Sequence, residues 1–371
     1  MSRKLKPNKF YSLTVDKPPS FPMKRSDMSL KKIADYIGTT LIFSWVALQF
    51  ISCEPQISPT TETELPQKIQ SLWNDLKAKN LISGSILIQQ GDQVLFQDGP
   101  QDLQYAVSSI SKSFVGWKYY ELSQQGLNLN TPVCYWLQNF CEDSLKSITV
   151  QMLLDHKAGF GRDLSFVHFL KRTFNPDWSI ENIDKLSLTA DDLKNPPGSQ
   201  FLYSNFGYLV LSRLLEVISS KNFAGVIKDV AEQSAMSETD LIAKHDIIPI
   251  KVLLPYTRWQ TSLELETILY RSAGTGGVRS STRDLAKLLG TFQKKDFQKI
   301  FTEPQSYYRH GWVRSQDTSY KAYWHNGASL GAYSLMALIP ESDLRIVILT
   351  NNFKPAKFWS QQAEQFELLF Y

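Results

Sequence analysis

Three short stretches of this 371-residue chain carry side chains that could work as one chemical unit. In Ser109-Ile110-Ser111-Lys112, the three-residue spacing puts a hydroxyl and an amine on one helix face, about one turn apart. A lysine so placed can accept the serine proton once burial or a neighbouring cation lowers its pKa. Alone, the pattern is weak, because the same spacing recurs at Ser29 to Lys32.

The second stretch, Tyr203-Ser204-Asn205, follows the turn-forming Pro196-Pro197-Gly198 and precedes an apolar helical run holding Leu209, Val210, Leu214 and Leu215. A tyrosine hydroxyl can relay a proton to a leaving group, and an asparagine amide can orient a lysine or bind a carbonyl. A tyrosine at a turn is more often a packing residue. The third stretch, Trp324-His325-Asn326-Gly327-Ala328, reads as a strand bordering a cleft. Glycine there admits a close substrate backbone, and the following amide can face a developing oxyanion. A lone histidine on a strand is more often a satisfied core or surface residue.

Order and separation join these three signals. SISK, then YSN, then HNG resembles the Ser-x-x-Lys, Tyr-x-Asn and Lys/His-x-Gly series of the serine β-lactamase and penicillin-recognising hydrolases. The similarity is to their class C β-lactamase, D-alanyl-D-alanine carboxypeptidase and esterase branch. Met152-Leu153-Leu154-Asp155-His156 through Gly159, Pro197 to Asn205, and Gly276 to Leu285 add to it. The resemblance covers about residues 68–352.

It implies an α+β fold, an antiparallel sheet flanked by helices with an inserted helical subdomain. It also implies that Ser109 attacks a carbonyl while Lys112 and Tyr203 share the base role, with no cofactor. The amides of Ser109 and Ala328 would hold the oxyanion, and Asn205 would bind Lys112 and the substrate amide. Gly327 and His325 would line the substrate side.

One departure bears on substrate. His325 and Asn326 stand where the β-lactamases and penicillin-binding proteins commonly show Lys and Thr. A lysine anchors a substrate carboxylate with a fixed charge, whereas histidine, with a reference pKa of about 6.5, is mostly neutral at pH 7. An esterase or peptidase acting on a small molecule or a peptide, cell-wall peptide included, is therefore expected before a dedicated β-lactamase. A penicillin-binding sensor and a retired binding module are the alternatives; intact Ser109, Lys112, Tyr203 and Asn205 argue against decay.

The elements that must position these residues are legible in outline. Ile69, Leu72, Trp73 and Leu76 recur at helical spacing. Ser85–Gln90 and Gln93–Gln97 flank Gly91-Asp92 as a hairpin, and Tyr333–Ile339 and Leu344–Thr350 form another before a final amphipathic helix marked by Phe358, Trp359, Phe366, Leu369 and Phe370. Strands at both ends predict one antiparallel sheet split across the sequence, with a helical insertion from about Thr131 to Thr282. Cys134 and Cys141, seven apart, could be bridged or free, because spacing says nothing of their Cα separation.

Composition sets the class. With 43% apolar and 20% charged residues the chain can bury a large core. Residues 1–32 hold nine Lys or Arg against two acids, an excess of seven; taken from the net +4, this leaves −3 for residues 33–371. A slightly acidic body and the lack of any zinc-ligand spacing argue against nucleic acid and metal as partners.

The basic segment, residues 1–35, precedes the uncharged run Tyr36–Cys53. Eighteen helical residues span roughly 27 Å, just short of a roughly 30 Å hydrocarbon core. Basic residues before the run and Glu54, Glu62 and Glu64 after it place the C-terminal body outside the cytoplasm, in the cell envelope. Phe50-Ile51-Ser52-Cys53 resembles a bacterial lipobox, which would make Cys53 a lipidation site, and a start at Met28 would give a short basic leader. An uncleaved signal anchor is the alternative. Residues 54–67 read as a polar tether to a hydrolase domain at 68–371.

Overall fold

The structure, a computed structural model, describes residues 61–165, 168, 179–242, 252–253, 272–301, 307–315, 319–329, 332–350 and 365–370. The candidate anchor Tyr36–Cys53, together with Phe358 and Trp359, lies outside the described residues. Among the described residues no helix is long and apolar enough to cross a membrane.

Helix α1, Leu65–Ala78, opens the body, with Pro66 in its first turn, where a missing N–H costs nothing. It buries Leu65, Ile69, Trp73 and Leu76. Leu65 thus joins the fold rather than the tether, and the boundary expected at residue 68 moves earlier. The Trp73 indole N–H donates to Asp98 at 2.7 Å, fixing α1 to the edge of the sheet.

Strands β1 (Gly84–Gln90) and β2 (Gln93–Asp98) form the first hairpin; β10 (Ala332–Ile339) and β11 (Leu344–Thr350) form the last. β1 pairs antiparallel with β11, so the two ends of the sequence share one sheet. With β7 (Tyr308–Arg309), β8 (Trp312–Arg314) and β9 (Tyr323–Ser329) the order is β2-β1-β11-β10-β9-β8-β7. β11 is buried along its whole length, which its unbroken apolar run anticipates.

A second, four-stranded sheet, β4-β6-β3-β5, is made of β3 (Gln104–Ala106), β4 (Asp240–Leu241), β5 (Val252–Leu253) and β6 (Val278–Ser280). This small sheet is an addition to the expected split sheet, not a replacement of it. Strands of two or three residues are too short to show alternation in a sequence.

Among the described residues, helices between the halves of the main sheet include α2 (Ser111–Gln124), α3 (Val150–Leu154), α4 (Asn205–Ser219) and α5 (Phe223–Gln233). α2 packs against α4 and α5, and its Phe114, Val115, Trp117 and Tyr119 are buried, so it is a core helix rather than a surface one. α6 (Thr282–Lys294) lies across β1, β10 and β11. Cys134 and Cys141 are joined by a disulfide with their Cα atoms 4.8 Å apart, which closes the choice that spacing left open. The result is an α+β fold, an antiparallel sheet flanked by helices with a helical subdomain between its halves.

Candidate active site

Ser109 sits in a single tight turn, Ser108–Ile110, that leads into α2. Ser108, just before it, has φ of +49°, a left-handed conformation that costs a non-glycine residue energy and recurs at functional sites. The turn leaves Ser109 half-buried while Ser111 and Ser113 are fully buried. Ser111 Oγ accepts the Val278 N–H at 3.1 Å, and Ser113 Oγ donates to the Gly311 carbonyl at 2.6 Å. Those two hydroxyls are committed to the scaffold, and Ser109 is the one left partly exposed, beside the Lys112 amine.

Lys112 is completely buried, with Nζ 3.2 Å from Ser109 Oγ. Burial pushes its pKa below the ordinary lysine value, the Tyr203 hydroxyl pulls it back, and the Arg162 guanidinium lowers it again. Tyr203 is shifted the other way by its surroundings: burial alone would raise it, but the Lys112 charge, hydrogen bonds to Lys112 and Ser109, and Arg162 bring it below the usual phenol range. The two groups therefore share one proton more evenly than a free lysine and phenol would.

The YSN stretch is held by His156. Its carbonyl accepts the Leu202 N–H at 2.7 Å, its Nδ1 accepts the Ser204 N–H at 3.1 Å, and its ring centroid lies 4.4 Å from that of Tyr203. An accepting Nδ1 leaves the proton on Nε2, and burial with the nearby Lys112 charge keeps the ring neutral, its pKa well below 6.5. Ser204 caps α4, accepting from the Gly207 N–H at 3.0 Å, and Asn205 is the first residue of that helix.

Asn205 makes no hydrogen bond to Lys112. The expected partner is replaced by the carbonyl of Thr275, 3.1 Å from Nζ, in a turn that precedes β6. Nothing in the sequence around Thr275 marks that role, because a backbone carbonyl has no residue signature.

Strand β9 forms the opposite wall. Tyr333 N–H and C=O both engage the Thr350 side chain on the β11 side, so Ala328, which faces Tyr333, turns its own N–H away from β10. That edge is the one against the Ser109 turn. A Cβ on Gly327 would lie 2.8 Å from the Ser109 amide nitrogen and 2.6 Å from the Val107 carbonyl oxygen, so only glycine permits the approach. Ser334, opposite Gly327, reaches past it to donate to Val107 at 2.7 Å. The Ser109 turn thus packs directly against β9 beside Ala328.

His325 is buried, and both its ring nitrogens are engaged. Nδ1 donates to the Asn326 carbonyl, which can only accept, so the neutral ring accepts at Nε2 from the Tyr308 hydroxyl at 3.2 Å. Burial and the Lys112 charge push its pKa down to about 3. The one donor of the neutral ring is therefore spent on the chain itself. Asn326 points elsewhere, donating to Glu367 at 2.6 Å.

A family model described as Beta-lactamase matches residues 69–366. The protein flp of Staphylococcus aureus (strain MW2) is 23% identical over 310 residues, covering 75% of this chain; the chain spans about three fifths (61%) of that relative's length. Among solved structures, a penicillin binding protein from Bacillus halodurans aligns with a TM-score of 0.66 at 21% identity, over 81% of this chain and 100% of that one. A D-amino acid amidase from Ochrobactrum anthropi SV3 gives 0.65 at 18%, over 82% and 98%. An octameric penicillin-binding protein homologue from Pyrococcus abyssi gives 0.64 at 20%, over 83% and 78%. At these identities the likeness to the solved structures speaks for the fold.

Proposed function

Because the chain belongs to the beta-lactamase family, we propose that it is a serine hydrolase acting through an acyl-enzyme on Ser109, with an ester, amide or peptide as substrate. The observation that carries this is the pairing of a half-buried Ser109 hydroxyl with the fully buried amine of Lys112, 3.2 Å away. As Ser109 Oγ bonds to the substrate carbonyl carbon, its proton passes to the Lys112–Tyr203 pair, and Tyr203 returns it to the departing alcohol or amine. Water then repeats the sequence on the acyl-serine. The amides of Ser109 and Ala328 stabilise each tetrahedral oxyanion, each donor contributing roughly 3 kcal/mol.

His325 supports the ranking of ester, amide or peptide above β-lactam. It is uncharged and offers no free donor, so β9 presents no cation to a substrate carboxylate. Phe201 and the exposed Tyr307, with ring centroids 5.0 Å apart, add aromatic surface beside Tyr308. The structural likeness to a D-amino acid amidase puts amides of D-amino acids among the first substrates to try.

Fluorophosphonate and fluorescent penicillin labelling, with the adduct followed by mass spectrometry, tests the reading. An adduct on Ser109 together with turnover of p-nitrophenyl esters, D-amino acid amides or D-Ala-D-Ala peptides supports it. A penicillin adduct that persists with no turnover of any of these makes the protein a sensor. No adduct with either probe leaves a binding module.

The envelope location and the membrane attachment form a second part of the proposal, motivated by the basic residues 1–35, the apolar run Tyr36–Cys53 and the lipobox-like FISC. Palmitate incorporated through Cys53 and lost in Cys53→Ser supports the lipoprotein form. Tyr36–Ser52 peptides retained in the mature protein support the uncleaved anchor, and a protein that fractionates away from membranes sinks both.

A further inference from the structure

Arg162 differs from most of the described arginines. Arg213, Arg279, Arg283, Arg309 and Arg345 each face an aspartate at ion-pair distance. Among the described residues no carboxylate pairs with Arg162; its guanidinium carbon instead lies 5.8 Å from the centroid of the Tyr203 ring. The side chain is exposed, so the cation stands at the rim of the cleft.

Its backbone is not free to drift. The Arg162 carbonyl accepts the N–H groups of Asn205 at 2.8 Å and Phe206 at 3.2 Å, which fastens it to the first turn of the helix that carries the YSN stretch. The charge is felt at the reacting groups, since it lowers both Lys112 and Tyr203. A guanidinium is always charged, weakly hydrated, and presents paired donors that match a carboxylate.

We propose that Arg162 is an anion-binding residue of this cleft, taking a substrate carboxylate on the helical side beside Tyr203 rather than on β9. The two walls then divide the work. β9 supplies the Ala328 amide and a neutral His325, and Arg162 supplies a fixed positive charge at the Tyr203 rim. The preferred substrates are esters or amides whose acyl part carries a carboxylate. The inference rests on the hydrolase reading above.

The test is a matched pair of p-nitrophenyl monoesters, one of glutaric acid and one of valeric acid, which differ at the end of the acyl chain by a carboxylate. The ratio of their kcat/KM values cancels any common effect of Arg162 on Lys112. Arg162→Gln is expected to lower the carboxylate-to-neutral ratio at least about ten-fold, the order expected for one charge-assisted hydrogen bond. Arg162→Lys keeps the charge without the paired donors and falls between. The wild-type ratio also declines as salt is added. A ratio unchanged in Arg162→Gln, with Ser109 still labelled by fluorophosphonate, overturns the inference and leaves the hydrolase reading standing. Should Arg162→Gln fail to fold, Arg162→Lys decides, and an unchanged ratio in it overturns the inference. A wild-type protein that neither labels nor turns over either ester overturns both.

Discussion

The Tyr308 hydroxyl lies 3.2 Å from His325 Nε2 and, with the Asn326 carbonyl on Nδ1, fixes His325 as a neutral ring with no donor left for a ligand. A lysine at 325 would bring a positive charge to the strand where the family commonly has one. His325→Lys is expected to raise kcat/KM for carboxylate-bearing substrates, penicillins included, relative to neutral esters. A folded variant with the wild-type preference would show that position 325 does not set substrate class.

The three serines of SISKS separate by their partners. Ser109→Ala should abolish covalent labelling and turnover. Ser111→Ala and Ser113→Ala should keep labelling but melt lower, because each leaves a buried Val278 N–H or Gly311 carbonyl unpaired at a cost of about 1–3 kcal/mol. Labelling that survives in Ser109→Ala overturns the nucleophile assignment.

Catalysis needs the Lys112–Tyr203 pair able to accept a proton, so kcat/KM falls as pH drops through the apparent pKa of the pair. That limb lies below the ordinary lysine value, since burial and the Arg162 charge both disfavour the ammonium. Arg162→Gln removes one of these causes, and the limb should move to higher pH. A limb that stays in place or moves to lower pH contradicts the electrostatic account.

Buried histidines make folding sensitive to mild acid. His310 is held at about 3 by burial and by Arg309, against 6.5 when free, so between those values the unfolded chain binds the extra proton. Its stabilisation is complete above about pH 6.5 and is lost as pH falls toward 3. Asp155, raised by burial to about 6, works in the opposite sense: its contribution is full below about 3.8 and is lost as pH rises through 6. Thermal melts from about pH 7 to about pH 4 should therefore show a flatter decline in His310→Gln, by at most about 1.4 kcal/mol per pH unit. Parallel slopes in the two proteins would show that His310 does not titrate on unfolding.

The sequence determined what local rules can encode. Helical spacing placed Ser109 one turn from Lys112, the Gly91-Asp92 turn closed β1 onto β2, and the apolar run of β11 announced a strand buried on both faces. The order of the three motifs pointed to the family. Each of these is a statement about neighbours along the chain, where periodicity and turn chemistry act directly.

Tertiary structure decided everything that depends on which distant atoms meet. Thr275 offers Lys112 a backbone carbonyl from 163 residues away, so no residue type could foretell that it would displace Asn205 as a partner. The small sheet brings together strands of two and three residues whose alternation is too brief to read. The Asn326 carbonyl set the tautomer of His325 and the Tyr308 hydroxyl took up its other nitrogen, where a sequence presents only an imidazole of ordinary pKa. Arg162 stands just beyond the stretch that carries His156, and its sequence neighbours give no hint of the Tyr203 ring. The physical reason is common to these cases: pKa and hydrogen-bond satisfaction belong to the enclosed space around a group, and that space exists only once the chain has folded.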